Sequence, residues 1–263
     1  AFDRRCVYSE VGTQKAFAKR VITEKNYNIA DGENIANKVI HALYAAMTDC
    51  MTTKESLAIR ILNYVLIDMD GAPLKKALLD AGVGSDVSGA YEDSYKQPVW
   101  SIVVTGSEPE RQGEFSQIVD HTLRKLALTG LDKKMLTAAL NRTEFILREN
   151  DYQGRPKGLF YGIRAMDMWL YDRDPIEALR YYDDINGLRK AIETDYFEGL
   201  LLKYLIKNSH QVLITMKAKK GIDEKKRIEV AEQLDAYKKS LSENQITDII
   251  EKTRVLKERQ ASV

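Results

Sequence analysis

Between Lys38 and Cys50 the chain alternates without becoming polar on either side. Val39, His41, Leu43, Ala45 and Met47 share one parity, Ile40, Ala42, Tyr44 and Ala46 the other, and both sets are largely apolar. Successive side chains of a strand leave opposite faces, so this stretch describes a strand covered on both faces, or covered on one and touching another domain with the other. Either way the fold must place it inside a sheet with a layer packed against it.

The rest of the chain supplies that layer. Thr52 and Glu55 form a capping-box pair at a helix start, followed by a stripe of Leu57, Ile61, Tyr64 and Val65. Pro73 opens a shorter helix to Ala81, with Gly82 able to turn left-handed beyond it. Two β-type runs follow, Val87 to Tyr95 and the alternation Trp100, Ile102, Val104, joined by a turn at Lys96 to Pro98. Phe115, Ile118, Val119, Thr122, Leu123 and Leu126 keep helical spacing, and Asp132 caps a helix whose stripe is Leu136, Leu140, Thr143 and Leu147. Asn150 to Gly158, with Gly154, Pro156 and Gly158, is expected as a loop. Helical spacing resumes at Leu159, Ile163, Met166 and Leu170, Asp174-Pro175 is expected to open a further helix, and Phe197, Leu201, Tyr204 and Leu205 outline another. A last strand fits Gln211 to Lys217, with Val212, Ile214 and Met216 on one face. Strands separated by helix pairs give an α+β domain, an antiparallel sheet with helices on one face.

Three regions result. Residues 1–35 read as an irregular lead-in, 36–219 as the α+β domain, and 220–263 as a helical hairpin. In the last region nearly half the residues are charged, a second capping box falls at Ser242 and Gln245, and the apolar positions are too few to form a core. The opening Ala-Phe-Asp-Arg-Arg has neither an initiator Met nor a signal-peptide layout, so the chain is expected to begin inside a longer protein.

Charge and composition narrow the partners. Forty basic and 39 acidic residues leave a formal charge of +1, with no basic stripe, so neither nucleic acid nor an anionic membrane is an expected partner. No apolar run reaches the roughly 20 residues of a membrane span. Cys6 and Cys50 are too few to staple the fold, which favours a reducing compartment, cytoplasm or organelle matrix. Both tryptophans, Trp100 and Trp169, take core-like positions.

No catalytic constellation is evident. His41, His121 and His210 are scattered, and neither His-Glu-x-x-His nor His-x-x-Glu-His occurs. The Gly82 to Gly84 fragment lacks the βαβ setting of a nucleotide site and reads as a helix end.

Read in order, Gly71 to Gly82, Tyr91-Glu-Asp with Gln97-Pro98, Ala139 to Asn150, Pro156 to Leu159, Trp169 to Asp172 with Asp174-Pro175, and Asn208-Ser-His210 resemble the second domain and following linker of presequence-protease-type peptidases of the pitrilysin and insulinase clan. In that family four related α+β domains form two halves around a closed chamber where unfolded peptides are cut. The first domain carries the inverted zinc motif and its glutamate base, and the second is a degenerate copy that supports the first and lines the chamber. The resemblance therefore implies a non-catalytic domain of a zinc metalloendopeptidase, with no catalytic or metal residue of its own, and zinc held elsewhere in the parent enzyme. Its implied partners are the remaining domains and unfolded peptides.

Arg148, Glu149, Gly154, Pro156 and Gly158 are the candidate domain-contact or chamber-lining positions; the alternative is an ordinary helix end and Gly/Pro turn. The competing functional reading is a free-standing inactive subunit or peptide-binding module.

Overall fold

The computed structural model describes residues 10–48, 51–149, 154 and 156–262. Cys6, Cys50 and most of the expected loop after Glu149 lie outside the described residues. The elements run β1 (Val21–Ile29), β2 (Val39–Ala46), α1 (Thr53–Asn63), α2 (Pro73–Asp80), β3 (Asp86–Glu92), β4 (Val99–Ser107), α3 (Gln112–Thr129), α4 (Lys133–Glu149), α5 (Lys157–Trp169), α6 (Tyr182–Ala191), α7 (Tyr196–Leu200), β5 (Gln211–Lys220), α8 (Ile222–Ser240) and α9 (Glu243–Ala261). Wide π turns extend α1 through Tyr64–Asp68 and α7 through Leu201–Ile206. The chain divides into two compact units, one of residues 1–25 and 36–217, the other of residues 26–35 and 218–263.

The first unit is α+β, as its sequence pattern requires. The sheet order is β1-β5-β2-β4-β3, so the doubly apolar strand β2 is central. It runs antiparallel to both neighbours, β4 and β5, and β3 runs antiparallel to β4. One face of the sheet forms the core. Leu43 and Ala45 of β2, Trp100, Ile102 and Val104 of β4, and Leu213 of β5 join Ile61 and Leu62 of α1, Leu74 and Leu78 of α2, Phe115 and Val119 of α3, and Leu136 and Leu140 of α4 in one buried cluster. Burying a leucine or phenylalanine at such a site contributes about 1.5–3 kcal/mol.

Local signals position these layers. Glu55 N–H donates to Thr52 Oγ1 at 3.1 Å and Thr52 N–H to Glu55 Oε2 at 3.4 Å, completing the α1 capping box. Asp132 Oδ1 accepts from Lys134 N–H at 2.7 Å and starts α4. Gly89 faces the π turn so closely that a Cβ there would stand 2.3 Å from Ile67 Cδ1 and 2.7 Å from the Ser101 carbonyl oxygen.

In the second unit Asn28 Oδ1 accepts from the N–H groups of Ile222 and Asp223, at 2.9 and 3.3 Å, and so caps α8. A two-residue joint, Leu241 and Ser242, leads into α9, where the Ser242–Gln245 capping box is formed. No residue of α8 or α9 is buried, and their length is maintained by ion pairs one turn apart, such as Lys239–Asp235 and Lys252–Asp248.

Four expectations are corrected. The lead-in contains β1, whose side chains are mostly exposed, so no apolar alternation advertises it. The expected loop ends earlier: Pro156 stands at the start of α5 and Gly158 lies in its first turn. Asp174-Pro175 opens only a short 3₁₀ turn, Glu177–Leu179, with Asp174 Oδ1 accepting from Ile176 N–H at 2.9 Å; the true helix, α6, begins at Tyr182. Trp169 is not a core residue but 65% exposed, because it ends a helix that buries nothing.

Candidate functional site

The three histidines are the side chains best suited to metal or acid–base chemistry. His41 faces inward from β2, fully buried, with Nδ1 3.1 Å from Thr215 Oγ1 and Nε2 3.0 Å from the Glu108 carbonyl oxygen. A carbonyl only accepts, so Nε2 carries the proton and Nδ1 accepts the Thr215 hydroxyl. Thr215 Oγ1 in turn accepts from Gln112 Nε2 at 2.6 Å. Burial holds the imidazole below its ordinary pKa against the smaller raising effect of the Glu108 carbonyl, so it is neutral and fully engaged. His210 is buried with its ring edge-on to Phe17 at 4.7 Å, and His121 lies on the exposed side of α3. Among the described residues no three His, Cys, Asp or Glu side chains gather as a metal site.

Two surfaces of the first unit have the character of a recognition site. One is the second face of the sheet. Ile40 and Tyr44 of β2, Val103 of β4, and Val212, Ile214 and Met216 of β5 belong to it, and none is part of the buried cluster. The expected grouping of Val212, Ile214 and Met216 is therefore real, but the face toward the core is that of Gln211, Leu213 and Thr215. Tyr44 is 38% exposed in the middle of the central strand, across from Ser101 and Val212.

The other is a cleft where α1, the β3–β4 turn, α5 and the start of α6 approach one another, with a cavity volume of about 170 Å³. Ser56 Oγ and Arg60 Nη2 both donate to Asp93 Oδ2, at 2.9 and 2.6 Å. Thr53 Oγ1 donates to Asp184 at 2.5 Å, Arg173 pairs with Glu177 at 3.0 Å, and Lys96 Nζ donates to the Val11 carbonyl at 2.8 Å. Asp167, on α5, has its carboxyl pushed up by burial and then by the charge of Asp93, against a weaker lowering by Arg164 one turn away. Tyr95, Tyr171 and Tyr181 line the same cleft.

The five candidate positions gather at the junction of α4 and α5. Arg148 pairs with Glu144 at 2.8 Å, and Lys157 Nζ donates to the Glu149 carbonyl at 3.1 Å. Gly154 has φ +78°, a conformation glycine adopts without steric cost. Neither Arg148 nor Glu149 lines the cleft; Leu147, one residue earlier, does. Sequence reasoning missed Asp167 and Arg164. Their signal was two opposite charges at i, i+3 in the middle of a mainly apolar helix.

No protein-family model matches the chain. Protein HypA of Clostridium perfringens is 38% identical over 261 residues, 99% of this chain and 27% of its own length. Presequence protease 1, chloroplastic/mitochondrial, of Arabidopsis thaliana is 28% identical over 258 residues, 96% of this chain and 24% of its own. The chain spans about a quarter of the length of these curated relatives. Among solved structures, the peptidase M16 inactive domain from Pseudomonas fluorescens is similar in fold, with a TM-score of 0.53 at 13% identity, covering 80% of this chain and 46% of that one.

Proposed function

We propose that this chain, similar over almost its whole length to part of a presequence protease and sharing the fold of a peptidase M16 inactive domain, serves as the non-catalytic domain of a zinc metalloendopeptidase of the pitrilysin and insulinase clan that degrades unfolded peptides. The observation that carries this reading is the match of almost the whole chain to about one quarter of a longer presequence protease. Zinc, its water and the glutamate base belong, on this reading, to a different part of the parent enzyme. The fold agrees with such a division of labour: a peptidase-type α+β layer whose best-placed histidine is locked into a structural hydrogen-bond chain.

Within the parent, this domain supports the catalytic one and lines the peptide chamber with the second face of its sheet. That face supports the proposal because it is apolar at Ile40, Tyr44, Val103, Val212 and Ile214, yet stands outside the core. An unfolded peptide offers apolar side chains, which such a surface holds without selecting one sequence. Arg148, Glu149, Gly154, Pro156 and Gly158 are proposed as contacts to the neighbouring domain.

The test is a photo-crosslinking amino acid placed at Tyr44, at Ile214 or, as control, at the exposed Lys134, in the full 263-residue chain. A labelled, disordered peptide is expected to crosslink at the two sheet positions and not at the control. Capture at Lys134 equal to that at Tyr44 overturns the assignment of the peptide-facing surface.

A further inference from the structure

We infer that the cleft between α1, the β3–β4 turn and α5 receives one cationic side chain of a bound peptide, an arginine or lysine, between Asp93 and Asp167. This rests on the reading that the domain meets unfolded peptides and adds a specificity to it, at a site in the helix layer and not on the second face of the sheet.

The first support is the inventory of donors and acceptors. Four cations border the cleft, and three are already engaged: Arg60 on Asp93 Oδ2, Arg173 on Glu177, and Lys96 on the Val11 carbonyl. Of the four anions, Glu177 is paired and Asp184 accepts the Thr53 hydroxyl. Asp93 has both its donors on Oδ2, which leaves Oδ1 without a hydrogen bond among the described residues. Among the described residues Asp167 accepts no hydrogen bond on either oxygen, and Arg164, although close enough to act on it electrostatically, makes none to it. Burial and Asp93 outweigh Arg164 at this carboxyl, so it is only partly compensated and lacks a hydrogen-bond donor among the described residues. A guanidinium or ammonium supplies both.

The second support is the wall. Tyr95, Tyr171 and Tyr181 present aromatic rings suited to cation–π contact, and Met168 and Leu147 are apolar surfaces on which a methylene stem can lie. The third is size: about 170 Å³ accepts one long side chain, below the roughly 300 Å³ at which drug-sized ligand sites begin. A bare divalent cation is a poorer occupant, because no three ligating side chains converge among the described residues.

The experiment titrates the full chain with N-acetyl-arginine methylamide and with its isosteric neutral analogue, N-acetyl-citrulline methylamide, followed by ¹H–¹⁵N NMR. Disordered peptides carrying a single central arginine, citrulline or glutamate are then compared by fluorescence anisotropy. The arginine compounds are expected to bind at least tenfold more tightly than their citrulline counterparts and to shift the amides around Asp93 and Asp167. Asp167→Asn is expected to abolish the preference, while Arg164→Gln retains or enlarges it; thermal melts confirm that both variants are folded. Equal binding of arginine and citrulline, a preference for glutamate, or a preference that survives Asp167→Asn overturns the inference. If the arginine amide binds at the cleft while peptides fail to crosslink to the sheet face, the chamber reading falls and the cationic site stands.

Discussion

His41 Nδ1 stands 3.1 Å from Thr215 Oγ1, the two residues lying directly opposite in the β2–β5 ladder, at the middle of a chain that runs from Gln112 through Thr215 and His41 to the Glu108 carbonyl. A histidine held this way is a structural strut with a titratable ring. Its folded-state pKa is lowered, so the unfolded chain takes up the proton first as pH falls. Its contribution is present above the unfolded value of about 6.5 and is lost as pH drops from there through the folded value. Urea unfolding at pH 7, 6 and 5 is therefore expected to show falling stability, with a shallower fall in His41→Leu. That variant is also less stable at pH 7, by about 1–3 kcal/mol, because it strands the Thr215 hydroxyl and the Glu108 carbonyl. An identical pH slope in the two proteins counts against this role.

Gly89→Ala should cost about 1–3 kcal/mol, since the new Cβ meets Ile67 and the Ser101 backbone, and the backbone cannot withdraw as a flexible side chain can. Gly113→Ala, in α3 with open space around it, should be neutral or stabilising by about 0.5–1 kcal/mol. Paired thermal melts check both, and equal effects would remove the argument from close approach.

Glu55 joins the α1 capping box to the π turn after α7, where Lys203 Nζ donates to its Oε1 at 2.8 Å and the Tyr204 hydroxyl at 3.2 Å. Burial alone would raise its carboxyl; the hydrogen bonds and charge of Lys203, with the Thr52 N–H and the Tyr204 hydroxyl, together hold it below the ordinary range. Stability from this group is present above the unfolded value of about 4.3 and is lost as pH falls through the lower folded value. Glu55→Gln is expected to flatten acid denaturation below pH 4.3, and Thr52→Ala to cost about 1 kcal/mol at any pH. An acid limb unchanged in Glu55→Gln would show that the contact is solvent-screened and idle.

The central strand, the core of α3 and the helix starts at Thr52, Pro73 and Asp132 were legible in the sequence because each rests on local chemistry: period, cap or fixed φ. What periodicity could not convey is which apolar stripe has a partner. Leu136 and Leu140 of α4 and Leu159, Ile163 and Met166 of α5 obey the same spacing, yet the first pair is buried and the second set is exposed. β1 was hidden for the converse reason, since a strand that buries little needs no apolar alternation. The cleft carboxylates were illegible because Asp93 and Asp167 are 74 residues apart, and only the packing of α5 brings them to one cavity.

This difference between stripes is itself measurable. Phe115→Ala, emptying the core beside His41, should lose about 3–5 kcal/mol. Met166→Ser, on exposed α5, should stay within about 0.5 kcal/mol of the parent chain. Comparable losses in urea denaturation would mean that α5 is covered in solution by something else in the chain.

The most direct measurement is zinc content and peptide hydrolysis of the purified 263-residue chain, assayed together with and without added zinc. Far less than one zinc per chain and no cleavage of a disordered peptide are expected. One tightly held zinc, with hydrolysis abolished by a chelator and restored by the metal, would contradict the non-catalytic reading.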